Sequence, residues 1–182
     1  MKPQPQFNWR LDKEHPCWIE NVVSITALPE EIAEFKELVG GPTYRVYNNL
    51  IFEKDQPKVA LKFLYRDMPF SFHRIQPMPY DIQITRNITP ANEKEEMEMI
   101  MLAGKYEYSH WYEWAMENWG TKWDARWGAI DHIDESNINF SFYTYEDPPL
   151  AIFDELSVYC DLHDIQMDWL YGKEDYGYQW LD

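Results

Sequence analysis

Apolar and polar positions alternate with period two over WIENVVSIT, where Ile19, Val23 and Ile25 share one face, which predicts a first strand. The same alternation recurs in KVALKFLYR (Val59, Leu61, Phe63, Tyr65), NINFSFYTY (Ile138, Phe140, Phe142) and IQMDWLY (Ile165, Met167, Trp169, Tyr171). A last short strand follows around Tyr178–Trp180, after a turn from Gly172 to Gly177. Helical spacing places Ile32, Phe35 and Val39 on one face after Pro29, with Glu30 and Glu31 in the first turn and Gly40-Gly41 as the stop. A long helical pattern opens at Asn92, which with Glu95 resembles a capping box, and runs to about Asn118. Met97, Met101, Gly104, Tyr108, Trp111 and Ala115 trace its apolar face, with Gly104 as a point where it can divide. A further helix follows Pro148-Pro149, with Asp147 as N-cap and Ile152, Phe153, Leu156, Tyr159 and Cys160 as its stripe.

Helices lying between strands at both ends, without the signs of a doubly wound parallel sheet, predict an α+β fold. The expected architecture is a ferredoxin-like split βαβ sandwich with an antiparallel sheet, an N-terminal arm and inserted strands. Residues 1–16, with Pro3, Pro5 and Pro16, read as the irregular arm, and 17–182 as one domain. The stretch 43–86 is strand-rich until Pro77 and Pro79, which argue against a continuous central strand over FSFHRIQPMPY.

Charge sharpens this division. The net charge is -16, from 16 Lys+Arg and 32 Asp+Glu. Residues 1–90 carry 11 acids and 11 bases, whereas 91–182 carry 21 acids and 5 bases, so the chain has a neutral half (17–90) and an acidic half (91–182). Such a charge opposes binding to an anionic membrane, and to nucleic-acid phosphates except through the N-terminal half. Hydrophobic residues at 45% supply a core and argue against disorder. The start MKPQPQFNWR has no apolar core of a signal peptide, and no run suits a membrane span. With only Cys17 and Cys160, a cytoplasmic protein with reduced thiols is expected.

Candidate chemistry is sparse. In NWGTKWD, Trp119 and Trp123 fit a role in packing and Gly120 a tight turn, while Lys122 and Asp124 fit the lining of a small-molecule site; packing is the commoner use of such aromatics. His132, among Asp131, Asp134 and Glu135, lacks the spacing of a calcium loop and reads as an acidic surface turn, so no metal and no cofactor are expected. Cys160 sits at a helix C-terminus among acids, the wrong setting for a nucleophilic thiolate. His73 beside Arg74 could meet phosphate but has no partner motif, and no phosphate-loop, zinc-protease or nucleophile-elbow motif is present. No catalytic residues are assigned.

The segment WYEWAMENWGTKWDA (Trp111 to Ala125) resembles the hallmark of the YubB-like family of phage- and plasmid-borne proteins with a ferredoxin-like domain. CWIENVVSITALPEEIAEFK, FHRIQPMP, FYTYEDPPLAIFDELS and YGKEDYGYQW fit the same family. The resemblance implies a fold and a mobile-element setting, not an activity. Residues 43–69 show no family pattern.

Duplex DNA carries one charge per about 1.7 Å of axis, so the excess of 16 negative charges matches roughly 27 Å of duplex. A ninety-residue half-chain has a radius of gyration near 12 Å, hence a similar span. The expected function is therefore a non-enzymatic inhibitor that imitates nucleic acid on a basic surface. In a mobile-element setting the target is a host defence nuclease, with a type II CRISPR effector as the expected partner by analogy of class. The acids expected to meet it are Glu93, Glu95, Glu96, Glu98, Asp131, Asp134, Glu135, Glu174 and Asp175. The alternatives are a ligand-binding or enzymatic domain built on Trp119, Lys122, Trp123 and Asp124, and an oligomeric phage protein. A homodimer would also let two acidic faces span a longer channel.

Overall fold

Alternation in the sequence becomes pleat. Trp18–Thr26 forms β1 and Asn137–Tyr145 forms β7, paired antiparallel with Val23 opposite Phe140 and Ile25 opposite Ile138. The structure, a computed structural model, describes residues 17–43, 46–53, 56–63, 66–85, 89–173 and 177–181. The expected arm, 1–16, and the acids Glu174 and Asp175 lie outside them. Gln166–Lys173 (β8) flanks β1 on its other side, Arg126–Ile133 (β6) flanks β7, and Gly177–Leu181 (β9) closes the far edge. The order β6-β7-β1-β8-β9 is antiparallel throughout. The fold is thus α+β, as expected.

One face of this sheet carries Val23, Ile25, Ile138, Phe140, Phe142 and Trp169, all fully buried. Helix α1 (Pro29–Val39) and helix α6 (Leu150–Leu162) cover it, through Phe35 against Phe140 at 6.1 Å and Phe153 against Trp169 at 5.6 Å. Such offset and edge-on ring pairs add to the burial of apolar area that drives the assembly. The same face holds one buried amide. Asn21 donates to Thr144 Oγ1 at 3.1 Å and accepts from Trp169 Nε1 at 3.2 Å, which ties β1, β7 and β8 together. Its partners offset the cost of burying it.

Between α1 and β6 the described residues form four further strands and four helices outside that sheet. Gly41–Thr43 (β2) pairs with Arg66–Met68 (β5), and Val46–Glu53 (β3) pairs with Gln56–Phe63 (β4) in a separate two-stranded ribbon. The expected strand at Val59–Phe63 lies within β4, while Tyr65 is outside the described residues. The Pro-broken stretch forms two single-turn helices, α2 (Phe72–Ile75) and α3 (Tyr80–Gln83). Phe70 and Phe72 enter the core here, with Phe70 stacked on Phe142 at 4.5 Å.

The long helical pattern divides, as its sequence allowed, but differs from expectation in where it divides and in which face turns inward. It forms two helices, α4 (Glu93–Tyr106) and α5 (Trp111–Asn118). The break falls not at Gly104 but at Glu107, which takes the left-handed conformation (φ 68). The following turn is fixed by His110, whose ring accepts from the Glu113 amide at 3.2 Å, and by Ser109, whose amide and hydroxyl donate to the Glu113 carboxylate. The expected apolar face of α4 points outward: Met97 and Met101 are 60% and 69% exposed, and a Cβ on Gly104 would meet nothing. The inward face carries Met99, Leu102 and Tyr106, spaced three and four apart; all are half-buried and the last two pack against the core. Asn92 caps α4 as expected, accepting from the Glu95 amide at 3.0 Å, but Glu95 reaches back to the Ala91 amide rather than that of Asn92.

The Asp147 cap is likewise corrected. Pro148 and Pro149 hold the chain outside the helix, Pro149 takes the cap position, and no side chain caps α6. Two prolines in series place Asp147 too far upstream of the free amides in the first turn. The stripe of α6 falls where expected, with Ile152, Leu156 and Cys160 buried.

Candidate functional site

The NWGTKWD segment leaves α5 and enters β6, so its side chains are placed by the junction. Gly120 has φ 79, and a Cβ there would stand 2.7 Å from the Leu150 amide nitrogen, so only glycine fits this approach to α6. Trp119 is buried and donates its indole N–H to the Gln76 carbonyl at 2.9 Å. Thr121, also buried, donates to the Tyr145 carbonyl at 3.1 Å. These two bonds lock the segment to the loop after α2 and to the end of β7.

Asp124 is only 4% exposed. Its Oδ1 accepts from the Phe72 amide at 2.6 Å and its own neighbour Ala125 at 2.8 Å, and its Oδ2 accepts from Ser71 at 3.3 Å. Burial pushes its carboxyl up to about 6, against the opposing pull of those donors. All its geometry is spent holding α2 on the sheet. Lys122 is tethered as well, 3.2 Å from Glu146 and over the Tyr145 ring at 3.9 Å and the Trp123 ring at 4.8 Å. Of the four proposed ligand residues, Trp119 and Asp124 are therefore interior, and Lys122 and Trp123 belong to an aromatic ledge.

That ledge lies on the sheet face opposite α1 and α6. Trp18 and Tyr145 meet edge to face at 5.0 Å, Trp18 and Trp127 at 4.7 Å, and Trp127 and Tyr143 at 5.7 Å. Arg126 lies over the Trp123 ring at 5.2 Å. Cation–π pairing of this kind holds both cations against aromatic faces.

The proposed acids fall into two groups on elements that share no sheet pairing. Glu93, Glu96 and Glu98 are exposed on α4 and Glu95 is half-buried there. Glu98 meets Lys94 at 3.7 Å. Asp131 stands on β6, with Asp134 and Glu135 in the turn to β7; all three are exposed. Asp134 organises this turn, accepting from Ser136 and Asn137 amides at 2.9 and 2.8 Å and from the His132 ring at 3.0 Å, which holds its carboxyl well below the usual range. His132 is thus part of a turn. Among the described residues no group of three or more His, Cys, Asp or Glu is placed to hold a metal ion. Cys160 is buried, and burial together with Asp161 pushes its thiol up to about 11, far from a thiolate. His73 accepts from the Met78 amide at 3.2 Å, and burial lowers its ring to about 4, so it does not offer phosphate a charge near neutral pH.

Sequence reasoning missed the contact that seats α4. Asp81, on α3, accepts from Lys105 at 2.8 Å and from the Tyr106 hydroxyl at 3.0 Å, and both lower its carboxyl. No local spacing announces a pair 24 residues apart. Beside this clamp, α3 and α4 bound an open cleft of about 640 Å³. The inward spacing of Met99, Leu102 and Tyr106 was the available signal.

Comparison with family models, curated proteins and solved structures gives no match for this chain. Among the described residues no helix is long and apolar enough to cross a membrane.

Proposed function

We propose that the chain is a cytoplasmic, non-enzymatic interaction protein of a phage or mobile element that inhibits a host defence nuclease by occupying its basic nucleic-acid-binding surface. The observation that carries this reading is the placement of the charge. The whole excess of 16 acids falls in residues 91–182, and Glu93, Glu96, Glu98, Asp131, Asp134 and Glu135 all reach solvent there. Self-repulsion of that size works against the folded chain, and a cationic partner relieves it. The target class is an RNA-guided nuclease of type II, whose positively charged channel holds the guide–target duplex. The reading includes membership of the YubB-like family and a ferredoxin-like core: β1, α1, β6, β7, α6 and β8 follow one another as βαββαβ, with the order β8-β1-β7-β6 in the sheet. On this reading, β9 and everything from β2 to α5 are additions.

The test is a salt titration of complex formation with a purified type II effector loaded with guide. Affinity should fall by at least tenfold between about 0.05 and 0.3 M salt, as charged surfaces lose their attraction. A flat salt response, or no complex at low salt, overturns the proposal.

A further inference from the structure

Helix α4 is covered on one side only. On the other, Met97, Ile100 and Met101, at i, i+3 and i+4, are 60%, 61% and 69% exposed and form one stripe that Gly104 extends. A solvated helix face is ordinarily polar, so a contiguous exposed apolar stripe marks an interaction surface. Methionine suits such a surface because its flexible, polarizable side chain adapts to a partner. Met101 also stands at the rim of the cleft beside α3, whose lining includes Ile84, Met99 and Leu102. Among the described residues, Asp81, Glu93, Glu95, Glu96, Glu98 and Glu107 stand around stripe and cleft, against Lys94 and Lys105.

We infer that the exposed α4 stripe, which reaches the rim of the α3–α4 cleft at Met101, receives a cationic amphipathic helix of a partner protein. The apolar side of that helix covers Met97, Ile100 and Met101, and its lysines or arginines meet the surrounding carboxylates. The charge selects this occupant. A second copy of the chain would set the same acids against each other, and an anionic lipid surface or nucleic acid would be repelled. The inference rests on the reading of the chain as a protein that meets a cationic partner, and it names the surface and the shape of what docks there.

The test uses the full chain and a fluorescent synthetic peptide of about five helical turns, with leucines at i, i+3, i+4 and i+7 among lysines. A scrambled peptide of the same composition and an oligolysine of equal charge serve as controls. The patterned peptide should bind at least tenfold tighter than either control, and a Met97→Ser/Ile100→Ser/Met101→Ser variant should lose roughly tenfold or more of that affinity. Because all three positions are exposed, the variant should keep its circular dichroism and melting temperature. Equal binding of patterned and scrambled peptides, or an unchanged affinity in the folded triple variant, overturns the inference. Either result leaves the salt titration with the nuclease untouched, so failure here and failure of the broader reading are separable.

Discussion

Helices α6 and α4 have nearly the same length, 13 and 14 residues, and opposite fates. The first buries Ile152, Leu156 and Cys160 against the sheet, while the second buries no residue and shows Met97, Ile100 and Met101 to solvent. Both carry a continuous apolar stripe. The difference lies in what surrounds each stripe. Helix α6 is delivered to the apolar face of the sheet by strands on either side of it, β7 before and β8 after. Helix α4 is held at the periphery by a hydrogen-bonded clamp, Asp81 with Lys105 and Tyr106, and by the half-buried Leu102. A stripe is thus a statement about helix periodicity, and its direction is decided by tertiary partners.

The most direct way to break this contrast is truncation of one side chain on each helix. Leu156→Ala should cost about 2–5 kcal/mol in urea unfolding, because a fully packed site leaves a cavity. Met101→Ala should stay within about 0.5 kcal/mol of the parent. If the two cost the same, the α4 stripe is packed and the contrast is wrong.

A smaller effect, roughly 1–3 kcal/mol, comes from the buried carboxylate of the core side. The carboxyl of Asp124 stands near 6 in the folded chain, above its ordinary value of 3.8. The folded state therefore holds this proton more tightly than the unfolded state does. Its contribution to stability is greatest below about pH 4 and is lost as pH rises to about 6. Carboxylates with lowered values, such as Asp81, Glu113 and Asp134, act with the opposite sign and lose their contribution as pH falls. The Asp124→Asn variant isolates the contribution of Asp124. The stability difference between parent and variant should shift in the variant's favour from pH 4 to pH 6.5, read by melts at each pH. A difference independent of pH shows that Asp124 keeps an ordinary carboxyl.

The frame of the fold was legible because its signals are local. Alternation at Val23–Ile25, Ile138–Phe142 and Met167–Trp169 marks the strands of one face, and Pro29 and Gly40 bound α1. Stop signals were less reliable: α4 ends at Glu107, a non-glycine residue in the left-handed region, where no composition signal stands. The Asp147 cap failed because two prolines separate it from the first helical turn. The Trp-rich segment was legible as packing, since Trp119 and Asp124 prove to be interior. The docking stripe was visible only as apolar residues, because whether Met101 faces in or out depends on the Asp81–Lys105 contact across 24 residues.

The subtlest expected effect separates the two helices in stability rather than in packing. Asn92 accepts from the Glu95 amide at 3.0 Å and is exposed, so Asn92→Ala removes a cap worth about 0.5–2 kcal/mol to α4 alone. Since α4 buries no residue, it should open without the core, as peripheral units do. Native-state hydrogen exchange then gives a specific pattern. Amides of Ile100 to Ala103 should exchange several-fold faster in Asn92→Ala, those of Leu156 to Cys160 should keep their rate, and the global melt should move little. Exchange that accelerates equally in both helices would mean that α4 opens only with the sheet, and the exposed stripe would then belong to the same cooperative unit as the core.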